Sequence, residues 1–197
     1  MRRQTVALGA SLGCVFAVLG ILFSSQQPTP QTTARADSQP AASALTPAQQ
    51  QLLEASGLAI ALPTYVPRGF VLEKVITEAS RQARVGGVSY ALLYRYYDSS
   101  TDQDFCFAIE ATNGGIGGIP TGEESFAIDS PTFGESTLEY GIYGAAQGPT
   151  YISNWLGEET GPFYRFVGAD VLPSLSRCEN IPAQTAIQVL ESLTYQN

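Results

Sequence analysis

Whatever chemistry this chain performs is built without histidine, which is absent from all 197 residues. That removes Ser-His and Cys-His nucleophile pairs, the facial triad and most catalytic zinc sites. What remains is three cysteines, one lysine, 18 carboxylates, ten tyrosines, nine phenylalanines and one tryptophan. Two cysteines, Cys106 and Cys178, lie outside the apolar leader. An even count beyond the cytoplasmic membrane predicts a disulfide between them, against the competing reading of two separate buried thiols.

Other residues that could do chemistry reduce to simpler readings. Asp98, Asp102 and Asp104 offer three oxygen ligands but lack the alternate spacing, central glycine and closing glutamate of an EF-hand, so a solvated turn is favoured over calcium. Glu123-Glu124 and Glu158-Glu159 are adjacent pairs, and neighbouring strand residues point to opposite faces, so neither pair can flank one glycosidic bond by itself. Lys74 has no nucleophile motif near it for a Ser-Lys dyad. The run Asn113 to Pro120 is glycine-rich and follows a strand, but lacks Gly-Lys-Ser/Thr and is followed by Glu123-Glu124, so it reads as a hairpin loop rather than a phosphate cradle. No cofactor and no metal is expected.

The aromatic inventory is the more distinctive feature. Aromatics of this kind usually form sheet core, but a sheet face left uncovered by helices can present them as a binding surface. Arg95, Tyr97 and Trp155 are the candidate binding residues.

Several elements must position these groups. Thr46-Pro47-Ala48-Gln49 opens a helix with a hydroxyl N-cap, proline at the first position and a capping-box glutamine, and Gly57 ends it. Leu45, Ala48, Leu52 and Leu53 mark its expected buried stripe. Prolines 63 and 67 lead into a strand over 70–78 that should start at a sheet edge. Strict alternation over 88–97 and again over 105–111 predicts an antiparallel hairpin. Shorter strands fit 125–128, 136–143, 151–156 and 163–167, and 182–193 has helical periodicity. The expected fold is α+β: one twisted antiparallel sheet of about six strands, with an N-terminal and a C-terminal helix packed on one face.

Residues 1–25 form a signal-anchor or signal peptide: Arg2-Arg3 precede an almost wholly apolar run from Val6 to Phe23. Eighteen residues reach roughly 27 Å as a helix, which favours an uncleaved anchor over a cleaved signal. Cys14 is no lipidation site, because Ser11 stands where a lipobox wants leucine and apolar sequence continues beyond it. Arg2-Arg3 are positive-inside charges rather than a twin-arginine signal. Residues 26–45, rich in Ser, Gln, Pro, Thr and Ala, read as a disordered tether, and 46–197 as the folded domain. That domain holds seven basic and 17 acidic residues, a balance that excludes a nucleic-acid binder and repels anionic headgroups.

Leu62-Pro63-x-Tyr65-x-Pro67-x-Gly69-Phe70, Tyr90-x-Leu92-x-Tyr94, Trp155 before an acidic turn, Tyr164-x-Phe166-x-Gly168 and Leu190-x-Ser192-Leu193 follow one another in an order that matters. Over residues 62–193 the chain resembles an extracytoplasmic bacterial domain of unknown function, found after a single transmembrane segment in anti-sigma-factor-like and envelope proteins. It departs by inserting Leu172 to Pro182, with Cys178, before the last helix. The resemblance implies location and fold, and carries over no catalytic residue.

These readings converge on a membrane-tethered, non-enzymatic binding or sensing domain of the bacterial envelope, inner-membrane anchored with the domain outside the cytoplasm, or secreted or periplasmic if the leader is cleaved. Its expected partner is an envelope protein, a peptide or a cell-wall component, and it meets the membrane through residues 6–23 only. The alternatives are an extracytoplasmic hydrolase using carboxylates, which needs two of them converging in a cleft, and a purely structural module, which would leave the exposed sheet face polar.

Overall fold

A computed structural model describes residues 45–80, 87–114, 116–144, 146–157 and 160–196, all within one compact unit, Ala36–Asn197. The expected anchor and nearly all of the expected tether lie outside the described residues. Among the described residues no helix is long and apolar enough to cross a membrane.

Helix α1, Pro47–Ser56, begins and ends for local reasons. Thr46 Oγ1 accepts from Gln49 N at 3.3 Å while Gln49 Oε1 accepts from Thr46 N at 2.8 Å, closing the capping box. Gly57 then takes the left-handed conformation, φ 71°, that stops the helix. The expected stripe is narrower than the periodicity suggested: Leu53 is buried and Leu45 packs on the core, but Ala48 is exposed and Leu52 is 46% exposed. α1 lies against strands at the sheet's edge, so only a thin line of the helix meets the core.

Among the described residues nine strands follow: β1 Ala61–Pro63, β2 Val71–Ser80, β3 Gly87–Asp98, β4 Gln103–Thr112, β5 Glu124–Ser130, β6 Gly134–Gly141, β7 Thr150–Ser153, β8 Phe163–Val167 and β9 Leu193–Tyr195. Seven form one antiparallel sheet in the order β2-β3-β4-β8-β7-β6-β5, and β1 pairs separately with β9. The fold is therefore α+β as expected, but with a seven-stranded sheet and a second, two-stranded one instead of a single sheet of about six. Two meanders build the large sheet. β2-β3-β4 runs inward from one edge, and β5-β6-β7-β8 runs inward from the other until β8 closes on β4. β2 is an edge strand, as Pro63 and Pro67 foretold.

The small sheet corrects the reading of the C-terminus. Helix α2 covers Ala183–Glu191 and stops short of Leu193, which instead opens β9 opposite Pro63. Leu193 is buried in either case, so apolar periodicity could not distinguish a last helical turn from a strand.

One face of the large sheet carries the main core. Tyr94 stacks on Phe107 with centroids 4.9 Å apart, and Phe107 on Phe166 at 5.4 Å. Leu53 of α1 and Ala186, Ile187 and Leu190 of α2 join the same cluster. Tyr90 and Tyr164 tie the chain entering β1 to this face: Ala61 N donates to Tyr90 Oη at 3.0 Å, and Tyr164 Oη donates to Ala59 O at 2.8 Å. Burial pushes both phenols far above the usual tyrosine range.

The opposite face carries a smaller apolar cluster of Ala91, Leu93, Cys106, Ala108 and Val167. A strap over residues 168–181 covers it with Ala169, Leu175 and Cys178, and contains a 3-10 turn at Pro173–Leu175. The Cys106–Cys178 disulfide fastens the strap to β4, with Cα atoms 5.7 Å apart and a sequence separation of 72. Asn180 Oδ1 accepts from Ala169 N at 3.0 Å and from Thr150 Oγ1 at 2.8 Å, holding the strap's two ends.

Candidate functional site

Strand alternation and antiparallel register put two rows of side chains on the strap's side of the sheet. Ile76, Ala91, Glu110 and Arg165 lie opposite one another across β2, β3, β4 and β8. Glu78, Ser89, Thr112 and Phe163 form the next row. Beyond the last strand of this floor, Leu156 bridges Tyr164, which sets Trp155 beside Arg165. Leu172, Pro173 and Ser174 of the strap join the lining. The result is an open trough of about 320 Å³, at the lower end of the size of small-ligand sites.

The trough's charges are arranged in a chain. Nε and Nη2 of Arg165 both lie 2.6 Å from Oε2 of Glu110, and the same guanidinium carbon stands 4.3 Å from the centroid of the Trp155 ring. Glu110 thus orients Arg165, and Arg165 supports Trp155 by a cation–π contact. Glu78 also lines the trough, leaving its described lining with one cation and two carboxylates.

A second hollow, about 330 Å³, shares Trp155 in its lining with the first. Ile116 and Ile119 of the glycine-rich loop wall it on one side, Ile119 being 77% exposed. Thr137 and Asn154 line it as well, with Asn154 Nδ2 donating to Thr137 Oγ1 at 2.7 Å. In the loop's described part Gly114 N donates to Thr112 Oγ1 at 3.1 Å, and Ile116 and Ile119 line the hollow.

Of the three expected binding residues, only Trp155 belongs to this site. Arg95 shares the face but sits opposite Cys106, with Nε 3.1 Å from Glu73 Oε2 and Nη1 3.7 Å from Asp104 Oδ2. Tyr97 is 55% exposed and donates to Asp102 Oδ1 at 2.6 Å. That hydrogen bond, with Asp104 and Asp98 nearby, holds the Tyr97 phenol above its usual range. The structure does not bring Arg95 and Tyr97 to the trough that Trp155 lines.

The acidic turn has its own account. Ser100 N and Oγ donate to Asp98 Oδ1 at 2.9 and 2.7 Å, which depresses the Asp98 carboxyl. Among the described residues no group of three or more Cys, Asp or Glu is placed to hold a metal ion. Glu158-Glu159 lie outside the described residues. Lys74 stands on the edge strand opposite Leu93.

Sequence reasoning missed Glu110, Arg165 and the strap wall. A signal for Arg165 was present, since it is the one charged residue in Phe163–Val167 and must face away from buried Tyr164 and Phe166. Its partner was not legible, because Glu110 becomes its neighbour only through the β4–β8 pairing.

No family model matches the chain, and no match was found among curated proteins or solved structures.

Proposed function

We propose that this chain is a membrane-tethered, non-enzymatic binding or sensing domain of the bacterial envelope, which takes its ligand in the Trp155 trough. The observation that carries the reading is the trough itself, where an aromatic ring, an oriented ion pair and a disulfide-fastened wall meet on the sheet face away from the helices. Concave sites with a few fixed polar groups and an aromatic anchor are where small ligands and peptides bind. The apolar leader over 6–23, the tether and the acidic domain support a position outside the cytoplasm with the membrane met through the leader alone. The resemblance to extracytoplasmic domains points the same way. The ligand is drawn from envelope proteins, peptides and cell-wall components. The mixed apolar and charged lining speaks against a purely structural module.

The test is co-sedimentation of the full chain, in detergent, with isolated envelope fragments. Wild type should be retained, and Trp155→Ala should lose most of that retention while Tyr97→Ala, outside the trough, keeps it. Equal retention of wild type and Trp155→Ala contradicts the assignment.

One observation favours a second reading: Glu78 and Glu110 line the same trough, as a hydrolytic carboxylate pair would. Release of soluble fragments by wild type, abolished in both Glu78→Gln and Glu110→Gln, would establish it in place of binding alone.

A further inference from the structure

From the trough's lining we infer that its ligand is a neutral oligosaccharide, laid across Trp155 so that it occupies both hollows. This inference rests on the binding reading above and narrows its ligand to one chemical class.

Three features argue for it. The first is charge. The guanidinium of Arg165 is committed to Glu110, and Glu78 adds a further carboxylate, so an anionic ligand finds no free cation in the described lining. Phosphate- and carboxylate-bearing polymers would instead meet repulsion, reinforced by an outer domain with 17 acidic residues against seven basic ones.

The second is the floor. β3 and β4 are interior strands, paired on both sides. Their backbone donors and acceptors are spent on neighbouring strands, whereas an extended peptide gains affinity by pairing its main chain with a free edge. A ligand seated over β3 and β4 meets side chains rather than free backbone, the open edge of β2 lying at the border of the floor.

The third is the kind of side chain. Trp155 offers an amphipathic ring against which the C–H face of a pyranose can stack. Around it stand groups that match hydroxyls: Ser89 and Ser174 donate and accept, and the Glu110 carboxylate accepts. Arg165 fixes the carboxylate and supports the ring at once, so both recognition groups are held before ligand arrives. Because hollows of about 320 and 330 Å³ both have Trp155 in their lining, the inferred ligand is a chain longer than a single sugar.

The experiment uses the full chain in detergent and follows the emission of Trp155, the sole tryptophan. Chitotetraose and cellotetraose serve as neutral probes, with tetragalacturonate, a neutral tetrapeptide and a crude envelope digest as comparison arms. A saturable emission shift with either neutral glycan is expected, and none with tetragalacturonate or the peptide. By calorimetry, Trp155→Phe and Ser89→Ala should each weaken glycan binding by about tenfold or more, with far-ultraviolet circular dichroism unchanged.

A shift with the digest but with neither glycan overturns the glycan class and leaves the trough as the binding site. A stronger response to tetragalacturonate or to the peptide also overturns it. Silence in every arm overturns both the inference and the binding reading beneath it.

Discussion

Arg165 holds its guanidinium 4.3 Å from the ring of Trp155 while both of its donors on the other side converge on Glu110 Oε2 at 2.6 Å. The cation is thus shared between an aromatic ring and a carboxylate, and the carboxylate sets where the ring's support stands. Both members of the ion pair are largely buried, with side chains 24% and 19% exposed.

Removing the cation should therefore be felt twice. Arg165→Ala leaves Glu110 half-buried without its partner and strips one face of the indole. A loss of about 2 kcal/mol is expected in chemical denaturation, with a red shift of Trp155 emission. Replacing both partners, as Arg165→Met with Glu110→Met, should recover part of that loss, because no lone charge then remains. Additive losses in the pair would show that the two residues do not interact.

Three buried tyrosines should separate by their hydroxyls. Tyr94 Oη is buried with no hydrogen-bond partner among the described residues, whereas Tyr90 Oη accepts from Ala61 N and Tyr164 Oη donates to Ala59 O. Tyr94→Phe should stabilise the fold by about 1 kcal/mol, and Tyr164→Phe should destabilise it by about the same amount. Thermal unfolding of the two variants side by side checks the opposite signs.

Glu139 is 7% exposed and carries a carboxylate inside the sheet. Burial alone would raise its pKa, but hydrogen bonds from Thr137, Ser125 Oγ and Gly122 N outweigh it and the carboxyl titrates below its usual range. A depressed folded-state pKa means the stabilisation is complete above the unfolded value and is lost as pH falls through the folded one. Glu139→Gln should cost about 1 kcal/mol at neutral pH, and the gap between the proteins should close as the pH drops through the carboxylate range. A gap independent of pH would contradict the assignment.

The disulfide closes a loop of 72 residues, so its removal should cost about 4 kcal/mol on the chain-entropy account. Its local effect is more specific. Leu172, Pro173 and Ser174 wall the trough from the strap that Cys178 fastens to Cys106. Reduction, or paired Cys106→Ala and Cys178→Ala, should raise hydrogen exchange across the strap and in the trough floor before it raises exchange in α2. Exchange that rises uniformly would show that the strap is held without the bond.

What could be read from the residues alone divides by range. Thr46, Pro47, Gln49 and Gly57 state a helix's two ends within a dozen residues, and the alternation of Tyr90, Leu92 and Tyr94 states which strand face is buried. The paired cysteines were legible because only two lie beyond the apolar run of residues 6–23. The trough was not, since Glu110 and Arg165 stand 55 residues apart and become neighbours through a pairing that local pattern does not encode. Arg95 and Tyr97 lie on the same face of β3 as the trough, but alternation says nothing of position along the strand, and they fall in rows beyond it. The strap was legible only as an insertion of unassigned purpose.

The most direct test of the account is the emission of Trp155 while the full chain is titrated with isolated envelope fragments, because the chain's single tryptophan reports from the proposed site alone. A saturable blue shift, abolished by competing neutral oligosaccharide, is the predicted result. Fragments that bind the chain while leaving Trp155 emission unchanged would place the ligand elsewhere and contradict the account.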